Sequence, residues 1–277
     1  MILKLYVYCS GYAPDLDNGF KGEGFPPICP CGKVMIACLI VRMPSVCYDI
    51  VCPSDVHAGA MHFILFDIDG TLVDSNEFDS ELYVKAVRKI LGITIGDDWS
   101  AYRNVTDGGI LDEIIDNAGL TDGRLRIHAE VKAVFAGLVS DYLDEREGQL
   151  PEIEGAGAFM TALESLPEVS MALATGGWEE TARMKLRAAG LDRYSLPLAS
   201  GSDALTRTEI MQIAEKRALD GRKASRRTYF GDGIWDKRAS EELGYDFIAI
   251  GDKVQHHARY PDFGEKAVIL GTLGLRV

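Results

Sequence analysis

The sequence predicts an α/β fold: a parallel sheet with helices on both faces, interrupted after its first strand by a helical insertion. Three observations predict it. Short apolar runs begin at Phe63, Val169, Thr228, Phe247 and Ala267, and the first four end in polar, mostly glycine-containing sequence, as buried parallel strands do. Segments with apolar residues at helical spacing separate the later runs, and alternation of strands with helices implies a parallel sheet. About 100 residues lie between the first two runs, far too many for one crossover, and they carry the helical period.

The first strand, Phe63 to Phe66, runs into Asp67-Ile68-Asp69-Gly70-Thr71. The second, Val169 to Ala174, ends in Thr175-Gly176-Gly177. Thr228 to Phe230 ends in Gly231-Asp232-Gly233, and Phe247 to Ile250 ends in Gly251-Asp252. A fifth strand is assigned to Ala267–Leu270. Met184, Leu186 and Ala188 mark one helix of the core, and Ile210, Ile213 and Ala214 another. In the insertion, Phe78, Leu82, Val87, Ile90 and Leu91 share one face. Ile110, Leu111, Ile114 and Ile115 form a second stripe, and Val131, Val134, Phe135, Leu138 and Tyr142 a third, with Gly92, Gly119 and Gly148 at the helix ends. The insertion is placed at 76–152 with a return linker at Pro151–Gly157, leaving 61–75 and 153–277 for the core.

Residues 1–60 stand apart. All six cysteines (Cys9, Cys29, Cys31, Cys38, Cys47 and Cys52) lie there, and residues 53–277 contain none. Cys29-Pro-Cys31 is one residue short of the usual zinc-knuckle gap, and no second close pair follows. The segment reads as an extension foreign to the main fold, dispensable for chemistry, with Met61 where a start would be natural.

Among 277 residues, 47% are hydrophobic and 26% charged, the balance of a globular domain. The net charge of −13 argues against a nucleic-acid binder. The longest apolar run, Val34 to Val41, stops at Arg42, too short to span a bilayer. With no signal-peptide pattern, the expectation is a cytoplasmic protein without membrane or nucleic-acid partners, a monomer or homodimer.

In open parallel sheets, ligands bind beyond the carboxyl ends of the strands. Those ends hold Asp67, Asp69, Asp232, Asp236 and Thr175. Four converging carboxylates repel one another and call for a hard cation such as Mg²⁺, which accepts few protein carboxylates and keeps water and phosphate in its shell. Of the Asp67/Asp69 pair, one carboxylate can attack and form an aspartyl-phosphate, while the other moves a proton.

"DIDGT", "ATGG", the basic residue in "LTRTEI" and "GDGIWD" together resemble the four motifs of the haloacid dehalogenase superfamily, in order, over residues 61–277. The resemblance implies a Rossmann-like core with an inserted helical cap, and a Mg²⁺-dependent phosphatase most similar to the phosphoglycolate phosphatase-like group. It implies Asp67 as nucleophile and metal ligand, and Asp69 as general acid/base that lends its carbonyl to the metal. Thr175 and the Gly176 N–H would bind the phosphoryl group, Asp232 would complete the metal shell, and Asp236 would support the metal directly or through water. Arg207 would fill the basic third motif, commonly lysine. Asn76, Glu77, Arg103 and Thr106 are candidates for reading a small phosphorylated substrate. Trp178 and Trp235 each follow a motif, as lid-side or core aromatics, while His256 and His257 are assigned to solvated surface.

Rival functions share the superfamily. A 2-haloacid dehalogenase would not need Asp69, a sugar-phosphate mutase would pass phosphate to a second sugar phosphate, and a phosphonoacetaldehyde hydrolase would need a lysine such as Lys85 or Lys89. A non-catalytic binding module would have no use for the acid pair.

Overall fold

The computed structural model describes residues 5–7, 37–39, 61–120 and 122–276. The chain divides into two compact units, Met1–Ala58 and Gly59–Val277. In the first, strands β1 (Leu5–Val7) and β2 (Ala37–Leu39) pair antiparallel. The expectations for the cysteines and for the dispensability of residues 1–60 otherwise lie outside the described residues.

The second unit is built on a six-stranded parallel sheet. Its strands are β3 (Met61–Phe66), β4 (Val169–Ala174), β5 (Leu198–Ala199), β6 (Ala224–Gly231), β7 (Asp246–Ile250) and β8 (Arg259–Tyr260). They lie in the order β5-β4-β3-β6-β7-β8. Both faces of β3 are covered, which is why Phe63–Phe66 is an unbroken apolar run. Successive side chains point to opposite faces. Ile64 and Phe66 accordingly join the core with Phe159, Phe230 and Phe263, whereas Phe63 and Leu65 pack with Ile210, Met211 and Tyr229 on the other side.

Around the sheet stand α4 (Ala156–Glu164), α5 (Glu179–Ala188), α6 (Arg207–Leu219), α7 (Ile234–Leu243) and α8 (Lys266–Leu273). The last corrects the expected fifth strand at Ala267–Leu270. Ile269, Leu270 and Leu273 are buried while Val268 is 53% exposed, a one-sided burial at helical spacing. A run of four apolar residues cannot separate the two periods. β5 and β8, two residues each, were too short to leave a pattern. The return linker is also shorter than expected, since α4 begins at Ala156.

Helices α1 (Asn76–Leu91), α2 (Asp107–Asn117) and α3 (Arg124–Asp144) occupy the segment between β3 and α4. Their buried residues include Phe78, Leu82, Val87, Ile110, Leu111, Ile114, Ile115, Val131 and Phe135, as the stripes require. The chain leaves and re-enters the core side by side: Val73 bridges Glu152, and the Asp74 N–H donates to Pro151 O at 3.1 Å. Trp178 holds the helical segment over the strand ends. It is buried, with ring centroids 5.9 Å from Tyr83 of α1 and 6.0 Å from Phe135 of α3. Trp178 is therefore a core aromatic. Among the described residues no helix is long and apolar enough to cross a membrane.

Candidate active site

Pairing of β3 continues through Asp67, whose N–H donates to Phe230 O at 2.9 Å. The chain then turns at Gly70 with φ +73°, where a side chain would be strained and would overlap the Asn76 amide and the Asp232 carboxylate. This turn lets three carboxylates meet. Oxygens of Asp67 (end of β3), Asp232 (after β6) and Asp236 (first turn of α7) lie within 4.8 Å of one another, all buried.

Two cations face them. Arg207, the first residue of α6, donates from Nη1 to Asp67 Oδ1 at 3.1 Å and brings its Nε to 3.4 Å from Asp236 Oδ1. Lys253 Nζ lies 2.8 Å from Asp232 Oδ2, which also accepts from Asn76 Nδ2 at 2.7 Å. Asp236 is held further by the Tyr229 hydroxyl at 3.1 Å and the Gly233 N–H at 3.0 Å. Burial, then repulsion from Asp236, pushes the Asp67 carboxyl well above the usual carboxylate range. Burial likewise raises Asp236 to about 6, although Arg207 opposes the rise. Three buried carboxylates against two cations leave the site short of positive charge, and their hard oxygen donors fit a divalent cation of the Mg²⁺ type.

Asp69 does not join this group, which corrects the expectation of four converging carboxylates. Its Oδ1 accepts from Ser75 Oγ at 2.5 Å and forms an ion pair with Lys185 Nζ at 2.5 Å. Lys185 is fully buried on α5 and also bonds Asp79 Oδ1 of α1 at 2.6 Å. Burial alone would lower the Lys185 ammonium, but Asp69 and Asp79 outweigh it and hold it above its ordinary value. The two carboxylates of the first motif thus have different surroundings: Asp67 faces Arg207 and Asp236, whereas Asp69 faces Ser75 and Lys185.

On β4's end, Thr175 is buried and its Oγ1 accepts from the Gly177 N–H at 3.1 Å. Gly176 allows a close approach: a Cβ there would stand 2.7 Å from Val105 O and 3.0 Å from the Arg207 guanidinium. Its carbonyl accepts from the Asp107 N–H at 2.9 Å, which clamps the start of α2 onto this loop. Asp107 Oδ2 accepts from the Trp178 N–H at 2.8 Å, and burial, reinforced by Asp79, raises that carboxyl to about 8.

A cavity of about 860 Å³ opens over these strand ends, walled by Asp67, Asp69, Thr175, Gly176, Arg207 and Asp232 on the core side and by Tyr83, Trp99 and Ile110 on the helical side. Asn76, Glu77 and Thr106 line it, but Asn76 is committed to Asp232, and Thr106 caps α2 at the Gly109 N–H while donating to Leu205 O. Arg103 is not part of the wall, contrary to expectation. It lies in the connection before α2, where its N–H donates to the Glu113 carboxylate. Trp235 lines the cavity, half-buried. His256 is half-buried against Phe247, 5.3 Å between centroids, rather than solvated as expected, and His257 is exposed.

The profile of the haloacid dehalogenase-like hydrolases matches residues 64–250. The chain belongs to that family.

As a haloacid dehalogenase-like hydrolase it is 36% identical over 100 residues to the 6-phosphogluconate phosphatase of Escherichia coli (strain K12), a stretch covering 36% of this chain and 42% of that protein. The chain thus matches less than half the length of this curated relative. A hydrolase from Pseudomonas syringae shares the fold with a TM-score of 0.55 at 20% identity, over 70% of this chain and 86% of that one. CbbY from Rhodobacter sphaeroides, solved with phosphate, shares it with a TM-score of 0.50 at 17% identity, over 74% and 96%.

Sequence reasoning missed Ser75, Asp79, Asp107, Lys185 and Lys253. For Lys185 a signal existed: with Thr181, Ala182 and Leu186 it occupies the inward face of α5, where a lysine demands partners.

Proposed function

We propose that this hydrolase is a Mg²⁺-dependent phosphatase for a small phosphorylated metabolite, acting through an aspartyl-phosphate on Asp67. One observation carries the reading: the two carboxylates that end β3 border one cavity in opposite settings. Asp67 lies with Asp232, Asp236 and Arg207, and Asp69 lies with Ser75 and Lys185. Paired carboxylates with divergent surroundings suit a nucleophile and an acid/base.

Asp67 attacks phosphorus, and the bond to the leaving oxygen breaks as Asp69 passes it a proton. Water then attacks the aspartyl-phosphate, the phosphorus–Asp67 bond breaks, and Asp69 takes the water's proton. Thr175, the Gly176 N–H and Arg207 hold the phosphoryl oxygens; the fork of Arg207 suits both phosphate and carboxylate. A divalent cation held by Asp67, Asp232, Asp236 and the Asp69 carbonyl would neutralise charge on the transferring group. Residues 76–152 act as the cap that covers the reaction, with Glu77 the predicted substrate contact that lines the cavity and makes no side-chain hydrogen bond among the described residues.

The retained Asp69 network counts against a 2-haloacid dehalogenase and against a binding module. Lys85 and Lys89 are exposed and off the cavity, Lys185 is paired with Asp69 and Asp79, and Lys253, the one lysine among the described residues that lines the cavity, is tied to Asp232, which counts against phosphonoacetaldehyde hydrolysis. Phosphate release from a panel of phosphorylated metabolites, with Mg²⁺ and with EDTA, tests the reading. Release with Mg²⁺ that is lost in EDTA supports it. Transfer of phosphate to a second sugar phosphate would make the protein a mutase.

A further inference from the structure

Lys185 has no role in the chemistry above, yet it is the most deeply buried cation near it. A lysine this far from water is costly unless paired, and a buried ion pair is seldom the most stabilising way to fill such a space. An apolar side chain would suit the inward face of α5, which presents Ala182 and Leu186 beside it.

What Lys185 does geometrically is specific. Ser75 and Lys185 both engage Oδ1 of Asp69. Oδ2 accepts no hydrogen bond among the described residues and lies on the side of Gly177, next to the Thr175–Gly176 loop. Two contacts on one oxygen fix the rotation of the carboxylate and leave the other oxygen for the leaving group. Ser75 alone sits six residues away on the same loop and moves with it, whereas Lys185 comes from α5 and is itself anchored by Asp79 of α1.

We propose that Lys185 is a positioning residue that fixes the Asp69 carboxylate so that its second oxygen faces the phosphate ester, an inference that rests on the phosphatase reading. The contact also links the proton-transfer group to the first helix of the insertion, so the carboxylate is set when α1 lies as it does here.

The test separates positioning from structural support by leaving group. The p-nitrophenolate of p-nitrophenyl phosphate departs with little protonation, whereas the glycerol oxygen of glycerol phosphate needs a proton delivered as its bond to phosphorus breaks. In rapid-quench single turnovers, Lys185→Met should slow aspartyl-phosphate formation from glycerol phosphate at least about tenfold more than from p-nitrophenyl phosphate, within the range proton transfer supplies, with half-saturating concentrations of both nearly unchanged. Removing Lys185 alone leaves Asp69 and Asp79 close and unpaired, so that variant can fail to fold. Lys185→Met combined with Asp79→Leu removes this repulsion and should show the same selective loss. Equal loss on both substrates in the folded double variant, or no loss, overturns the proposal. Wild-type protein that releases phosphate from neither substrate with Mg²⁺ would instead overturn the phosphatase reading and the positioning role with it.

Discussion

Arg207 reaches Asp67 across 140 residues of sequence, with 3.1 Å between its Nη1 and the carboxylate oxygen. The same guanidinium brings its Nε to 3.4 Å from Asp236. One planar fork thereby serves two of the three clustered carboxylates, which a lysine, a point charge, cannot do in one position. Burial would lower its proton affinity, but Asp236 and its neighbours raise it, so the group stays charged.

Arg207→Lys should therefore not be conservative. Loss of one charged hydrogen bond, at about 1.5–3 kcal/mol, predicts a fall in kcat/KM of roughly 10- to 100-fold. Steady-state kinetics on p-nitrophenyl phosphate checks it. Full activity in the lysine variant would mean that the fork is immaterial.

Much of this site was legible in the sequence because parallel strands deliver their carboxyl ends to one edge. Asp67, Thr175 and Asp232 each follow an apolar run and could be placed by that rule alone. Arg207 was legible from its place between a polar loop and an apolar helix. Lys185 on the inward face of α5 carried a signal that it needs partners, but its pairing with Asp79 did not show, since the two stand 106 residues apart. Arg103 was misjudged because polarity near a hinge does not say which way a loop faces. α8 was misjudged because a short apolar run satisfies both a strand and a helix.

Metal should stabilise the fold as well as activate it. Asp67, Asp232 and Asp236 are buried together, and burial and mutual repulsion raise the carboxyls of Asp67 and Asp236. Mg²⁺ at about 100 times its Kd should add roughly 2.7 kcal/mol to unfolding free energy, and Asp232→Asn should reduce that gain. Thermal melts with Mg²⁺ or EDTA measure it, and identical melting curves in both would exclude a cation at this cluster.

His62 predicts a pH dependence away from the site. Burial, aided by Arg226, lowers its pKa from 6.5 to about 4, and its Nε2 lies 2.8 Å from Thr228 Oγ1. Between these values the unfolded chain binds the proton and the folded one does not. The neutral ring's contribution is thus complete above pH 6.5 and is lost as pH falls toward 4, by up to about 3 kcal/mol. Urea unfolding from pH 7.5 to 4.5 should show a steeper loss for wild type than for His62→Gln. Parallel curves would show that His62 does not titrate in this window.

The proposed independence of residues 61–277 is open to direct test. Met1–Ala58 forms a unit separate from Gly59–Val277, and the central strand starts at Met61. A chain beginning at Met61 should fold cooperatively and retain the phosphatase activity of the full chain within about twofold. Aggregation or loss of turnover would show that the first 60 residues complete the fold.

The two carboxylates that end β3 should fail in different ways. Asp67→Asn replaces the nucleophile by an amide and removes a charge from the cation cluster, so no turnover and no phosphorylated protein are expected. Asp69→Asn keeps the backbone but removes the proton carrier, a step worth about 10²–10⁴-fold. With p-nitrophenyl phosphate the leaving group needs little protonation, so the aspartyl-phosphate should still form in Asp69→Asn. It should then persist, because water attack needs the base that Asp69 supplies. Rapid-quench kinetics with mass spectrometry of the quenched protein should find phosphate on Asp67 in Asp69→Asn, one burst of p-nitrophenol per chain, and neither in Asp67→Asn. Phosphorylation of the Asp67→Asn chain at another residue would move the nucleophile elsewhere. A turnover rate in Asp69→Asn equal to wild type would remove the acid/base role and leave the Ser75–Asp69–Lys185 network with a purely structural task.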